Sequence, residues 1–170
     1  HKRGHKELVN KAPMRENLAA AFLRQMGYDG TQAVLDPMCG SGTFVIEAAE
    51  MAVGLYPGRS RSFAFQTLRN YDAKVFDALK AGVQPREVPA RFYGSDRDTG
   101  AIRMSTINAD KSGVGGLTTF AHAAVSDLQR PDCAPGIVIV NPPYGGRIGN
   151  KKQLFALYGA LGKTLMAQFK

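Results

Sequence analysis

Between Ala33 and Val53 the chain runs from a short apolar stretch, Ala33-Val34-Leu35, through an acid and a glycine-rich turn into an apolar helical segment from Phe44 to Val53. The turn reads Asp36-Pro37-Met38-Cys39-Gly40-Ser41-Gly42-Thr43. Strand, tight loop and helix in direct succession make the opening unit of an α/β sheet, where glycines let the backbone approach a ligand at the carboxyl end of the strand. A phosphate-binding loop needs Gly-Lys-Ser/Thr, which is absent, and the dinucleotide fingerprint needs a third glycine where Val45 stands. Hydride transfer and nucleotide hydrolysis both lose ground. Two readings remain for the turn, a cradle for another ligand or a simple join between strand and helix.

The same alternation continues downstream. Arg91 to Ser95 predicts a second strand ending at Asp96, Ile102 to Asn108 a helix, Leu117 to Ala121 a third strand and Ile137 to Val140 a fourth. The fourth is almost wholly β-branched, which predicts burial on both faces. Alternating strands and helices argue an α/β, doubly wound, mostly parallel sheet with right-handed crossovers. Before the first strand, Met14, Leu18, Ala21, Phe22 and Met26 follow helical spacing, with Pro13 suited to the first turn and Gly27 to the stop. Residues 54–71 read as an irregular insertion in which Phe63, Phe65 and Leu68 need a packing partner, followed by a helix from about Asp72 to Ala81 and a last helix over 151–169. At 170 residues and 44% hydrophobic content, the chain is expected to form one domain over 1–170. Its parts are an N-terminal extension and helix over 1–30 and a core over 31–170. With only four strands, the sheet is expected to be truncated at its C-terminal edge, and the opening His1-Lys2-Arg3-Gly4 reads as the cut edge of a longer protein.

Lys plus Arg exceed Asp plus Glu by 22 to 14, a formal charge of +8. Such an excess suits a polyanionic partner. Basic residues crowd the first fifteen positions (Lys2, Arg3, Lys6, Lys11, Arg15) and return at Arg147, Lys151 and Lys152. Cys39 and Cys133 stand far apart without ligand spacing, so neither a zinc site nor a disulfide framework is indicated and a cytoplasmic protein without metal is expected. No apolar run approaches the roughly 20 residues that span a bilayer, so no membrane association is expected.

Two further positions carry chemistry. Asp96, at the end of the second strand, is placed to accept hydrogen bonds from both hydroxyls of a ribose, whereas Asp98 reads as the cap of the following helix. Directly after the fourth strand comes Asn141-Pro142-Pro143-Tyr144. Two prolines could serve only to stop a strand. The order Asn, Pro, Pro, aromatic also answers a specific problem, because an exocyclic amine on a nucleic-acid base has its lone pair delocalised into the ring and is a poor nucleophile. The Asn141 side-chain oxygen and the Pro142 carbonyl can each accept one amino N–H, drawing the nitrogen toward tetrahedral geometry opposite a sulfonium methyl, while Tyr144 stacks on the base. Positioning and electrostatics then supply the rate. If strand order reverses between strands one and four, the two loops meet at the topological switch point and donor faces acceptor across one crevice.

Together with Lys11-Ala12-Pro13-Met14-Arg15-Glu16-Asn17-Leu18-Ala19, these motifs resemble the THUMP-associated class I RNA methyltransferases. Within that group the chain is most similar to the bacterial branch that methylates the guanine 2-amino group of 23S ribosomal RNA, and the similarity covers nearly the whole chain. The resemblance implies a Rossmann-like class I methyltransferase fold, S-adenosylmethionine as cofactor, RNA as partner, a role in rRNA processing, and an RNA-binding THUMP domain flanking the catalytic part. Carried over residue by residue, it assigns the methionine moiety to the turn residues Asp36, Pro37, Cys39, Gly40, Ser41, Gly42 and Thr43. Asp96 takes the ribose, and Asn141, Pro142, Pro143 and Tyr144 take the base. Pro13 and Arg15 close over the amino-acid end of the cofactor. Where related enzymes often place an acid four residues beyond the third strand's Phe to contact adenine, this chain has Ala124; the nearest candidate is Asp127, for which a helix cap or loop solvation is an equal reading. A DNA adenine-N6 methyltransferase shares the same acceptor logic, and a non-catalytic RNA-binding domain with a methyltransferase fold would share the charge.

Overall fold

The computed structural model describes residues 14–89, 91–144 and 151–169. It contains a four-stranded sheet of β1 (Val34–Asp36), β2 (Phe92–Asp96), β3 (Thr118–His122) and β4 (Ile137–Val138) in the order β3-β2-β1-β4. Every pairing is parallel. The helices are α1 (Glu16–Gln25), α2 (Thr43–Val53), α3 (Ala73–Ala81), α4 (Thr99–Lys111) and α5 (Lys151–Gln168). The strands fall within a residue of their sequence positions, except that β4 is shorter than the apolar run 137–140. None of the helices among the described residues is long and apolar enough to cross a membrane.

Alternation across the pleat sorts the sheet into two faces. Val34 and Phe92 point into the core, where they meet Phe44, Val45, Ala48 and Ala49 of α2 and Ala109 of α4. Leu35 and Tyr93 point the other way and line a cavity of about 250 Å³ with Arg130, Cys133, Ile137 and Phe169. Among the described strands, only β1 is buried along its whole length. Ile137 and Val138 are half-buried, against the expectation of burial on both faces, because β4 has β1 as its single neighbour among the described strands and one side of it opens on that cavity.

The first helix also departs from its apolar stripe. Ala19 and Leu23 are fully buried against α2, while Leu18, Phe22 and Met26 stand 43–49% exposed. Periodicity shows that an apolar stripe exists; the small Ala19 decides which side can lie close to α2. Pro13 lies outside the described residues, and Arg15 occupies the N-cap position. Gly27 ends the helix as expected: at φ +79° its N–H donates to Arg24 O and that of Tyr28 to Leu23 O, the paired bonds of a Schellman cap.

In the insertion, Phe63 and Phe65 stack at 5.3 Å and both meet Phe76 of α3 edge-on. Leu68 stays 58% exposed. Asp72 caps α3 through the Lys74 and Val75 N–H groups, and Asp98 caps α4 through Gly100 N–H. Arg59 ties the insertion to the core by pairing with the buried Glu50 at 2.7 Å while also donating to Ser112 O.

Candidate active site

β1 delivers the glycine turn. Asp36, its last residue, is 2% exposed, and its carboxylate accepts the Met38 N–H at 3.0 Å. Pro37 is fully buried behind it. Gly40 and Gly42 take φ of +54° and +80°, in the left-handed region that favours glycine. At Gly42 a side chain is excluded a second time, because a Cβ would stand 2.8 Å from Ser105 Cβ and 3.2 Å from Phe120 Cζ. At Gly40 a Cβ would meet nothing within 4 Å, so the backbone there faces open space. Ser41 and Thr43 are buried, with Thr43 opening α2. The Cys39 N–H donates to Ser95 O at 2.9 Å, and burial, reinforced by the charges of Asp36 and Asp96, pushes its thiol far above the ordinary range. A thiol held neutral in that way packs and does not attack.

From the end of β2, Asp96 stitches the turn to the sheet. One carboxylate oxygen accepts the Gly40 N–H at 3.0 Å and the other the Asp98 N–H at 3.0 Å. Burial pushes the Asp36 carboxyl up to about 7, partly offset by the Met38 N–H and raised further by the charge of Asp96. Among the described residues no lysine or arginine contributes to that balance.

β4 brings in the second loop. The Ile139 N–H donates to Leu35 O at 2.9 Å, extending the β1–β4 register so that Asn141 leaves the sheet beside the Asp36–Met38 turn. Since β2 and β3 lie on one side of β1 and β4 on the other, the two loops emerge together at the switch point. Asn141, Pro142 and Pro143 are half-buried and Tyr144 is 56% exposed at the rim. The Tyr158 hydroxyl of α5 donates to Pro143 O at 2.9 Å.

Asp127 and Arg15, also singled out in the sequence, make the following contacts. Asp127 ends a 3₁₀ turn at Val125–Asp127, where its N–H bonds Ala124 O and its carboxylate accepts from Ser126. Those contacts are local. Arg15 is exposed at the start of α1, and its carbonyl accepts the Leu18 and Ala19 N–H groups.

Sequence reading missed the clamp behind the turn. Asn108, 1% exposed on α4, donates to Ser41 O at 3.2 Å, and one turn earlier Ser105 sits against Gly40 and Cys39. Two small polar residues spaced i, i+3 on the core side of a helix were the available signal.

Comparison with known proteins agrees with this fold. A family model described as the RMKL-like methyltransferase domain matches residues 3–170. A ribosomal RNA large subunit methyltransferase K/L from Vibrio campbellii is 41% identical over 177 residues, covering 99% of this chain and 25% of that protein. The chain thus spans about a quarter of the length of the curated relatives it matches. Two solved structures superpose with a TM-score of 0.88, each covering 98% of this chain and 44% of theirs. One, 29% identical, is SMU.472, named as a candidate methyltransferase and complexed with S-adenosylhomocysteine. The other, 30% identical, is a Listeria monocytogenes protein described as a predicted N6-adenine-specific DNA methylase. With nearly its full length matched by that family's model, the chain belongs to the RMKL-like methyltransferase domain family.

Proposed function

We propose that this chain methylates an exocyclic amino group of a nucleic-acid base, the guanine 2-amino group of 23S ribosomal RNA, using S-adenosylmethionine. The observation that carries the reading is the parallel pairing of β1 with β4 at the switch point, since the Asp36–Thr43 turn follows one strand and the Asn141–Tyr144 loop the other. The donor set fits the cofactor. A buried carboxyl with no cation beside it among the described residues suits an ammonium group, and the open backbone at Gly40 leaves room for a ligand against the turn. Asp36 would hold the amino-acid ammonium, with Gly40, Ser41, Gly42 and Thr43 shaping the wall around it, and Asp96 would hold the ribose hydroxyls. When bound, the cofactor supplies a methyl group activated by sulfonium charge. The chain does the rest by placement. Asn141 and the Pro142 carbonyl accept the two amino N–H groups and localise the nitrogen lone pair, and Tyr144 covers the base plane. No strong base is required, since the nitrogen sheds its proton to solvent once it is alkylated.

The substrate class follows from the K/L relatives, whose name specifies large-subunit rRNA, and from the +8 charge. Adenine N6 in DNA is the competing acceptor, favoured by the name of the Listeria structure. Labelled methyl transfer offered to rRNA and to duplex DNA separates them. Label should enter RNA alone, and Asn141→Ala should slow transfer by roughly 10²–10³ with cofactor affinity unchanged. Label in DNA alone, or an undiminished rate in the variant, contradicts the proposal.

A further inference from the structure

The outward side of α5 touches the acceptor loop without belonging to any motif assigned above. Tyr158 reaches Pro143 O at 2.9 Å and therefore holds the segment whose oxygens are aimed at the amine. Three residues earlier, on the same side of the helix, Phe155 is 73% exposed, whereas the opposite face of α5 half-buries Leu154, Leu157 and Leu161 and buries Thr164. Side chains lean toward the N-terminus of their helix, so Phe155 projects past Tyr158 toward the end that opens with the exposed Lys151 and Lys152. At the rim Tyr144 adds a third exposed aromatic ring, after Phe155 and Tyr158. Aromatic rings beside lysines, next to a loop suited to a splayed base, are the components of a single-strand platform: rings stack on bases and ammonium groups meet phosphates.

We infer that the outer side of the first two turns of α5 is the wall on which the acceptor RNA strand lies, with Phe155 stacking on a nucleotide beside the target base and Tyr158 positioning the Asn141–Tyr144 loop. This assignment rests on the proposed RNA methylation and adds the surface that receives the strand. Lys151 and Lys152 make a polyanion the fitting occupant, in preference to an apolar protein segment.

The test uses a fluorescein-labelled, unstructured oligoribonucleotide on the order of ten nucleotides long. Phe155→Ala should weaken its binding about tenfold, while affinity for S-adenosylhomocysteine and melting temperature stay at wild-type values. Tyr158→Phe, which removes only the hydroxyl, should leave oligonucleotide affinity within about twofold, quicken hydrogen exchange at the Tyr144 amide, and slow single-turnover methyl transfer to rRNA about tenfold. Wild-type oligonucleotide affinity in Phe155→Ala, or an equal loss of S-adenosylhomocysteine affinity, overturns the platform. Unchanged exchange and unchanged rate in Tyr158→Phe overturn the positioning role. Asn141→Ala is measured beside them: full activity in that variant contradicts the base-gripping reading on its own and leaves the α5 results to decide the surface separately.

Discussion

Asp36 illustrates how one residue can set the working conditions of a site. Its carboxyl is raised to about 7 by burial, so the folded chain holds that proton more tightly than the unfolded one. The stability it contributes is complete below the ordinary carboxylate value and drains away as pH rises toward about 7. If the ionised form receives an ammonium group, ligand binding runs the other way, and affinity for S-adenosylhomocysteine should climb about tenfold per pH unit below about 7 and level off above it. Asp36→Asn should flatten both profiles in calorimetric titration and thermal melts; an unaltered pH profile in the variant would clear Asp36 of the role. The two glycines of the turn separate in the same fashion. Gly42→Ala meets both a positive φ and the Ser105 Cβ, and should cost about 3 kcal/mol of stability. Gly40→Ala should cost only about 1 kcal/mol, since its Cβ enters open space, yet it should weaken cofactor binding at least as much. Denaturant melts alongside titrations distinguish the two.

At the level of elements, α4 supplies the rigidity behind the turn. Asn108→Ala removes the bond to Ser41 O from a fully buried position, and should cost about 2 kcal/mol and loosen cofactor binding several-fold, as read by melting with and without S-adenosylhomocysteine. A variant that binds normally would show that the turn keeps its shape unaided. Elements were largely legible in the sequence where local chemistry decides them. The stop at Gly27, the caps at Asp72 and Asp98, and the join of β1 to α2 all rest on short-range backbone demands. What long-range packing decides was not legible. The inner face of α1 turned out to be Ala19 and Leu23 in place of the larger apolar stripe, and the half-burial of β4 follows from its place at the edge of the described sheet. The roles of Ser105 and Tyr158 depend on partners 65 and 15 residues away, which no local pattern records.

Across the whole molecule, the order β3-β2-β1-β4 sets β4 beside β1, so that the loops after both strands leave the same end of the sheet. Asp36, Asp96 and Asn141 are dispersed along the chain, and each was readable as chemistry from its residue type and its position after an apolar run. The expectation that strand order reverses between β1 and β4 is met, which puts the ends of β1, β2 and β4 on one edge of a parallel sheet. Asp127 sits in the 3₁₀ turn after β3, which packs against α5, and its role toward adenine stays a proposal that a ligand-bound structure would test. A crystal structure of the chain with S-adenosylhomocysteine examines the central claim most directly. The account places the ligand's amino group on Asp36, its ribose on Asp96 and its sulfur toward the Asn141 side chain; a ligand seated away from the Gly40–Gly42 turn, or with its sulfur directed away from Asn141, would contradict it.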